Sequence, residues 1–348
     1  MTISTLVHSH AAVTAIGTYV PERILSNQDL EKLVDTSDEW IFQRTGIRER
    51  RIAGERQYAS DLAIEAVHDL IHRYEKNVHD VDYIIVATST PDTFVPSVAS
   101  RVQAAFGMKG CGNADLQAAC AGFTSALQMA NGLLLSKLCR KILIIGTETL
   151  SRATDYTDRT TCILFGDGAG AMLVESTDTG VGVDISTTNS DSILSAGDIL
   201  ASNASTDGEQ GHHVYRSSLA PHIGSFELSQ NSMLVQNGRE VYRWALSRVA
   251  AGVQELLDGS GYTAQTIDWF VPHNANQRII DALCERIGFE AQQALSSIEH
   301  YGNTSAASIP LALDAAVKDG RVQPGQLLLL YGFGGGLTQS GVIMRWSI

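Results

Sequence analysis

The chain has 348 residues, with 25 Lys plus Arg against 38 Asp plus Glu and a formal net charge of −13. Hydrophobic residues make up 44% and charged residues only 18%, which supports a large buried interior and excludes a disordered chain. The acidic surplus argues against bulk nucleic-acid binding, which needs a basic face.

No apolar run reaches the ~18 residues that a membrane span needs. The N-terminal stretch lacks a basic segment followed by a long apolar one, so it does not read as a secretory signal. Cys111, Cys120, Cys139, Cys162 and Cys284 are scattered and form no C-x-x-C pair. Neither a disulfide framework nor a zinc site is expected, and a reducing cytoplasm is the default compartment.

Short Val- and Ile-rich runs alternate with helix-period segments. Val81 to Ala87 and Lys141 to Gly146 read as buried strands. Between them, Val98 to Phe106 and Gly122 to Leu135 have helical spacing, the second through Phe123, Leu127, Ala130 and Leu134. Such alternation predicts an α/β layered fold. The stretch from about Ser176 to Asn237 is rich in Ser, Asn, Asp, Thr and Gly and reads as loop and short strands. Arg239 to Leu257 returns to helix period and stops at Gly259-Ser260-Gly261.

A weak repeat runs through this order. Val81-Asp82-Tyr83-Ile84-Ile85 matches Ile267-Asp268-Trp269-Phe270-Val271, and Ile142 to Gly146 matches Leu327 to Tyr331. Phe165 to Val174 matches Phe333-Gly334-Gly335-Gly336 followed by Gly341 to Met344. Two copies of one α/β unit would produce this pattern, with halves at 1–180 and 181–348.

Cys120 lies in Ala118-Ala119-Cys120-Ala121-Gly122, where a strand gives way to a helix. A thiol there feels the positive helix end, which lowers its pKa, and its small neighbours admit a substrate carbonyl. Taken alone, a small buried Cys is more often structural. His273 follows a buried strand, and Asn303 sits in a tight turn before a helix starting near Ser305 to Ser308. Each alone reads as a capped strand end or a turn residue. Together the three supply a nucleophile and two hydrogen-bonding partners. The glycines of Tyr331-Gly332-Phe333-Gly334-Gly335-Gly336 let backbone N–H groups face a substrate oxygen. Gly166 to Gly170 lacks the following Lys of a phosphate loop and reads as a turn entering a strand. His212-His213 has no obvious third ligand, so a metal role is not expected.

Long motifs resemble the β-ketoacyl-acyl carrier protein synthase III family of the thiolase-fold superfamily, nearly end to end. They include Asp35 to Ile41, Arg44 to Arg50, the Cys120 segment, Thr157-Asp158-Arg159, Phe165 to Gly170, Val271-Pro272-His273, Gly302 to Ala307 and Phe333 to Gly336. The resemblance implies a duplicated five-layer αβαβα fold. It implies Cys120 as nucleophile, with His273 and Asn303 promoting decarboxylation and holding the enolate. The N–H groups of Cys120 and Gly335 match the oxyanion hole. Trp40, Arg44, Arg159, Asn276, Arg278 and Arg243 fall at coenzyme A or carrier-protein positions. The implied partners are acyl-CoA, malonyl-acyl carrier protein and a second copy in a homodimer, with no cofactor and no metal. The family's pocket-lining aromatic falls at Val95 or Phe94, and Val95 would leave room for a branched or longer acyl chain.

The chain departs from the family pattern at several places. Asn274 stands where Gln is common, which touches the active-site wall. The connector from Gly180 to Gln236 is longer than usual. Glu285 falls where some relatives carry Lys. A thiolase would need a Cys in the Gly334-Gly335-Gly336-Leu337-Thr338 loop, and a plant-type polyketide synthase a Pro there. A specialised condensing enzyme of secondary metabolism and a non-catalytic subunit are the alternatives. Coenzyme A and the carrier are acidic like this chain, so a local patch must receive them. Arg44, Arg159, Arg243, Arg248, Arg278 and Arg286 are the candidates.

Overall fold

The apolar runs become the middle strands of two five-stranded sheets. The computed structural model describes residues 5–6, 9–178 and 198–348. The first sheet runs in the order Ala11–Tyr19, Asp167–Ser176, Lys141–Thr149, Tyr83–Ala87, Gly112–Leu116. Its first two pairings are antiparallel and its last two parallel. The second sheet runs Thr5–Leu6, Ile199–Thr206, Thr338–Arg345, Leu327–Gly334, Trp269–Pro272. From Ile199 onward its pairings are antiparallel, antiparallel and parallel. A lone parallel bridge from Phe270 to Ala294 stands where the first sheet has its fifth strand. The segments matched in the repeat therefore occupy equivalent places in the two sheets. The division between the halves, at residue 180, lies outside the described residues. The short Thr5–Leu6 strand pairs with Ile199–Thr206 in the second sheet.

Five layers result. The Gly122–Leu135 and Ser308–Lys318 helices lie between the sheets. Phe123, Leu127, Ala130 and Leu134 recur at helical spacing and are all buried, against Ile144, Met172, Leu330 and Met344. Complete burial of each large side chain contributes roughly 1.5–3 kcal/mol. The Ala59–Tyr74 and Val98–Ala105 helices cover the outer face of the first sheet. The helical stretch over residues 238–260 and the Gln277–Ile287 helix cover that of the second. That stretch has one π turn at Ala245–Val249 and ends on Gly261 at φ 76°.

Two expectations need correction. Gly168 and Gly170 lie inside the Asp167–Ser176 strand rather than in a turn before it. A Cβ on Gly170 would meet Pro310 Cβ at 2.5 Å, so the glycine lets the central helix approach the strand. The polar connector is also more ordered than its composition suggests. Ile199–Thr206 is an eight-residue internal strand of the second sheet. Its pairing with Thr338–Arg345 and the burial of Ile199, Ala201 and Asn203 override its polar composition. Further on, Val214–Arg216 pairs with Leu234–Gln236. The connector's residues 179–197 lie outside the described ones.

Candidate active site

The two halves bring their equivalent strand ends together. Cys120 sits in a short 3-10 turn, Ala119–Ala121, immediately before the Gly122–Leu135 helix. Ala119 adopts φ 46°, a left-handed conformation that a non-glycine residue adopts at a cost. His273 follows the Trp269–Pro272 strand, and its backbone N–H donates to Tyr331 O at 2.8 Å. Asn303 is pinned by a bridge to Phe165: its N–H donates to Leu164 O at 2.9 Å and its carbonyl accepts Gly166 N–H at 3.0 Å. Gly334 ends its strand against the Cys120 turn. A Cβ there would lie 2.8 Å from Cys120 Sγ, so only glycine admits this approach.

Cys120, His273, Asn303, Gly334 and Gly335 line one cavity of about 550 Å³. A Cβ on Gly335 would meet Ala119 Cβ at 3.3 Å, so Gly335, expected with Cys120 to form the oxyanion hole, lies against the nucleophile turn. The thiol itself departs from expectation. Burial pushes it up to about 12, the largest effect acting on it. The positive helix end does not lower the pKa of this thiol below its ordinary value, because desolvation of a thiolate in an enclosed site is the larger effect.

His273 is buried, and burial pulls its imidazole down to about 3, so the ring is neutral. Its Nδ1 lies 2.7 Å from Ser308 Oγ, which also accepts the Asn274 N–H at 3.3 Å. The Ser308 hydroxyl thereby engages Nδ1 and helps to fix the ring. Asn303 Oδ1 accepts Ser305 N–H at 2.9 Å. This holds the amide so that its Nδ2 is the end left to donate.

At the cavity mouth, Arg44 and Arg159 lie over the Trp40 ring, at 5.7 and 5.0 Å from its centroid. Asn276 caps the Gln277–Ile287 helix through Arg278 N–H at 2.9 Å and donates to Arg44 O at 3.1 Å. Arg278 also lines the cavity. So does Arg239, which the sequence reading missed. It lies in the first turn of the Gly238–Trp244 helix, two residues after its cap, Asn237. Four arginines and, among the described residues, no Asp or Glu line this cavity. An acidic chain therefore carries a cationic entrance.

Other candidates lie elsewhere. Arg243 pairs with Glu240 at 2.7 Å and is not in the lining. Arg248 lines a separate small cavity, and Arg286 lines neither. Asn274 does not touch the active-site wall. Its Nδ2 donates to Pro272 O at 2.8 Å and its Oδ1 accepts Ser297 N–H at 2.6 Å, fastening the loop behind His273. Phe94 lines an adjoining cavity of about 840 Å³ that shares Ser89, Ala119, Val214, Leu234 and Gly335 with the first. Val95 is 86% exposed and lines neither cavity. Val214, Leu234 and Gln236 of the connector hairpin form one wall.

Comparison with known proteins shows the family. Residues 114–192 match the family model for 3-oxoacyl-[acyl-carrier-protein] synthase III, and residues 257–346 match the model of its C-terminal part. The chain is 53% identical over 340 residues to beta-ketoacyl-[acyl-carrier-protein] synthase III 2 of Halalkalibacterium halodurans, covering 98% of each chain. This chain belongs to the β-ketoacyl-acyl carrier protein synthase III family. Among solved structures, the synthase III of Thermus thermophilus superposes with a TM-score of 0.87 at 41% identity, covering 97% of this chain and 99% of that one. The priming β-ketosynthase of the R1128 polyketide pathway superposes at 0.85 with 32% identity, covering 97% of each. The fold is that of the thiolase superfamily, and the chain is an acyltransferase of the condensing type. Among the described residues no helix is long and apolar enough to cross a membrane.

Sequence reasoning missed three polar residues behind the site. Ser305 and Ser308 lay inside the quoted Asn303 to Ser308 run but read as a helix start. Glu148 lay in the apolar Ile144-Ile145-Gly146-Thr147-Glu148 run, where a lone carboxyl in a buried strand was the available signal.

Proposed function

We propose that this chain condenses an acyl-CoA primer with malonyl-acyl carrier protein, the step that initiates fatty acid synthesis. The observation that carries this reading is the meeting of Cys120, His273 and Asn303 on one arginine-mouthed cavity. Cys120 attacks the acyl thioester, and coenzyme A leaves. The N–H groups of Cys120 and Gly335 hold the oxyanion. The malonyl thioester then enters. The His273 ring and the Asn303 amide donate to its carbonyl oxygen, so the electrons released by departing carbon dioxide are held as an enolate. The enolate carbon attacks the acyl-Cys120 carbonyl, and the sulfur leaves. Thiol, imidazole, amide and backbone N–H groups supply every step, so the scheme uses no metal or cofactor.

Trp40 with Arg44 and Arg159 suits the base and phosphates of coenzyme A. A base stacked on Trp40 would displace one guanidinium from the ring. Arg239 and Arg278 suit the phosphopantetheine phosphate or acidic face of the carrier. The compartment in this reading is the cytoplasm and the assembly a homodimer. The apolar tip Phe94-Val95, 75% and 86% exposed, is the surface that a second copy would cover.

The test separates the two stages. Incubation with acetyl-, isobutyryl- and octanoyl-CoA should leave the acyl mass on Cys120, and Cys120→Ser should abolish it. His273→Ala should retain acylation and lose condensation. Ketoacyl product formed at full rate by Cys120→Ser would refute the scheme.

A further inference from the structure

Arg50 is a fully buried cation in the Glu49–Ile52 strand, opposite Leu25 of the antiparallel Arg23–Ser26 strand. Among the described residues no carboxylate forms an ion pair with it. Asp38 accepts Asn27 Nδ2 at 2.7 Å, and Glu49 pairs with Arg51 at 3.7 Å. Burial pulls the guanidinium down to about 10, which leaves it charged at neutral pH. Its Nε has no hydrogen-bond partner among the described residues. A buried charge held in this way is costly, and an apolar side chain of the same length would fill the space more favourably.

The guanidinium forms a bridge. Its Nη2 donates to Ile163 O at 2.6 Å, and its Nη1 donates to Asn27 Oδ1 at 2.7 Å. Asn27 is buried as well, and its Nδ2 donates to Asp38 Oδ1 and to Ile47 O, at 2.7 Å each. Arginine offers donors only, so the Asn27 oxygen must face it and the amide hydrogens must face away. Asp38 opens the Asp38–Thr45 helix that carries Trp40 and Arg44.

The Asn303 turn lies on the other side of the bridge. Ile163, Leu164 and Phe165 line the cavity that holds Cys120. Arg50 holds the Ile163 carbonyl, and the next one, Leu164 O, accepts the Asn303 N–H at 2.9 Å. Gly166 N–H then donates to Asn303 O at 3.0 Å. The stem of Arg50 packs along the glycines of this junction. A Cβ on Gly302 would meet Arg50 Cβ and Cγ at 3.5 Å, and one on Gly166 would meet Arg50 Cβ at 3.0 Å. Arg50 itself is absent from the cavity lining.

We propose that Arg50 is a positioning residue for Asn303: its fork fixes the 163–166 segment, and that segment sets where the Asn303 amide stands during condensation. This rests on the reading of Cys120, His273 and Asn303 as a decarboxylating condensing site. The Cys120 turn is set by the Gly334 strand end instead, so acyl transfer does not depend on the fork. Without Arg50, Asn27 still holds Asp38 and Ile47, so the helix of Trp40 and Arg44 stays fastened.

The test measures the two stages separately. Acyl-Cys120 formed from acetyl-CoA is followed by mass spectrometry, and ketoacyl product is followed with malonyl-acyl carrier protein. Arg50→Met keeps the stem and removes the fork, so it separates bridging from packing. Arg50→Lys keeps the charge but lacks the rigid fork that spans Asn27 and Ile163. In both variants acylation should stay within about threefold, while condensation kcat falls on the order of 10- to 100-fold with the KM for acetyl-CoA little changed. Asn303→Ala should also lose condensation. Adding Arg50→Lys to it should slow the residual rate by no more than about twofold, because Arg50 acts through Asn303. If Arg50→Met does not fold, Arg50→Lys decides alone. Unchanged condensation in a folded Arg50 variant, equal losses in both stages, or a full further loss in the double variant overturns the positioning role. An unaltered chain that acylates Cys120 yet yields no ketoacyl product overturns the substrate reading itself, and this inference with it.

Discussion

Gly334 offers a sharp test of how tightly the thiol is held. A Cβ at this position would stand 2.8 Å from both Cys120 Cβ and Sγ and 3.2 Å from Cys120 N. Ordinary carbon contacts are about 3.5–4.0 Å, so Gly334→Ala demands a shift of roughly 1 Å. The strand is paired residue by residue, Gly334 with Thr338 and Phe333 with Gln339, so the nucleophile turn must give way. Displacing a reacting atom by about 1 Å costs on the order of 100-fold in rate. That is about 2.7 kcal/mol in the acylation barrier. Overpacking should also destabilise the fold by roughly 1–3 kcal/mol, a fall of a few degrees in Tm. The assay is single-turnover acylation of Cys120 followed by mass spectrometry, alongside thermal melting. Gly132→Ala is the companion measurement. It lies in the same central helix with nothing within 4 Å of a new Cβ, and should be neutral or stabilising by up to about 1 kcal/mol. Acylation by Gly334→Ala within twofold of the unaltered chain would refute the claim that this contact positions the sulfur.

Ser308→Ala removes the hydroxyl bonded to His273 Nδ1; condensation should fall about 10- to 100-fold while acyl-Cys120 still forms, and equal losses in both stages would contradict a role for this contact in orienting the ring. Arg239→Ala and Arg278→Ala should each raise the KM for the thioester substrates about tenfold and flatten its dependence on salt. Arg243→Ala, already paired with Glu240, should change it little, as the same titrations will tell. Stability should also report on Glu148. Its folded value of about 7 lies above the ordinary 4.5, so the folded state binds the extra proton between those values and loses stability as pH rises through them. Glu148→Gln should therefore raise Tm more at pH 8 than at pH 5, by the equivalent of on the order of 3 kcal/mol. Equal Tm shifts at the two pH values would count against a buried, ionisable Glu148.

Much of this architecture was legible because it rests on local periodicity. The Phe123, Leu127, Ala130 and Leu134 spacing marks the central helix, and continuous Val and Ile runs mark strands covered on both faces. The repeat was readable because equivalent strands carry the same burial. The Ile199–Thr206 strand was not readable, since its polar residues are accommodated by neighbours distant in sequence, such as Asn203 donating to Gly252 O at 2.7 Å. The reading of Arg243, Arg248 and Arg286 as a rim failed for a related reason. Spacing along a helix does not tell which face turns to a cavity built from the other half.

Cys120, His273 and Asn303 could be singled out along the chain by the turns they occupy, each with a structural reading of its own, and took their expected roles from the family motifs around them. What those groups can do chemically depends on how the halves meet. The enclosure that raises the Cys120 thiol and lowers the His273 imidazole exists only once both sheets are stacked. So does the Ser308 contact with the imidazole. Protonation depends on desolvation and on neighbours across the fold, whereas residue type and turn chemistry are written locally. The net charge of −13 shows the same division. Composition identified an acidic chain, and the tertiary structure gathered four arginines around the entrance where acidic partners would arrive.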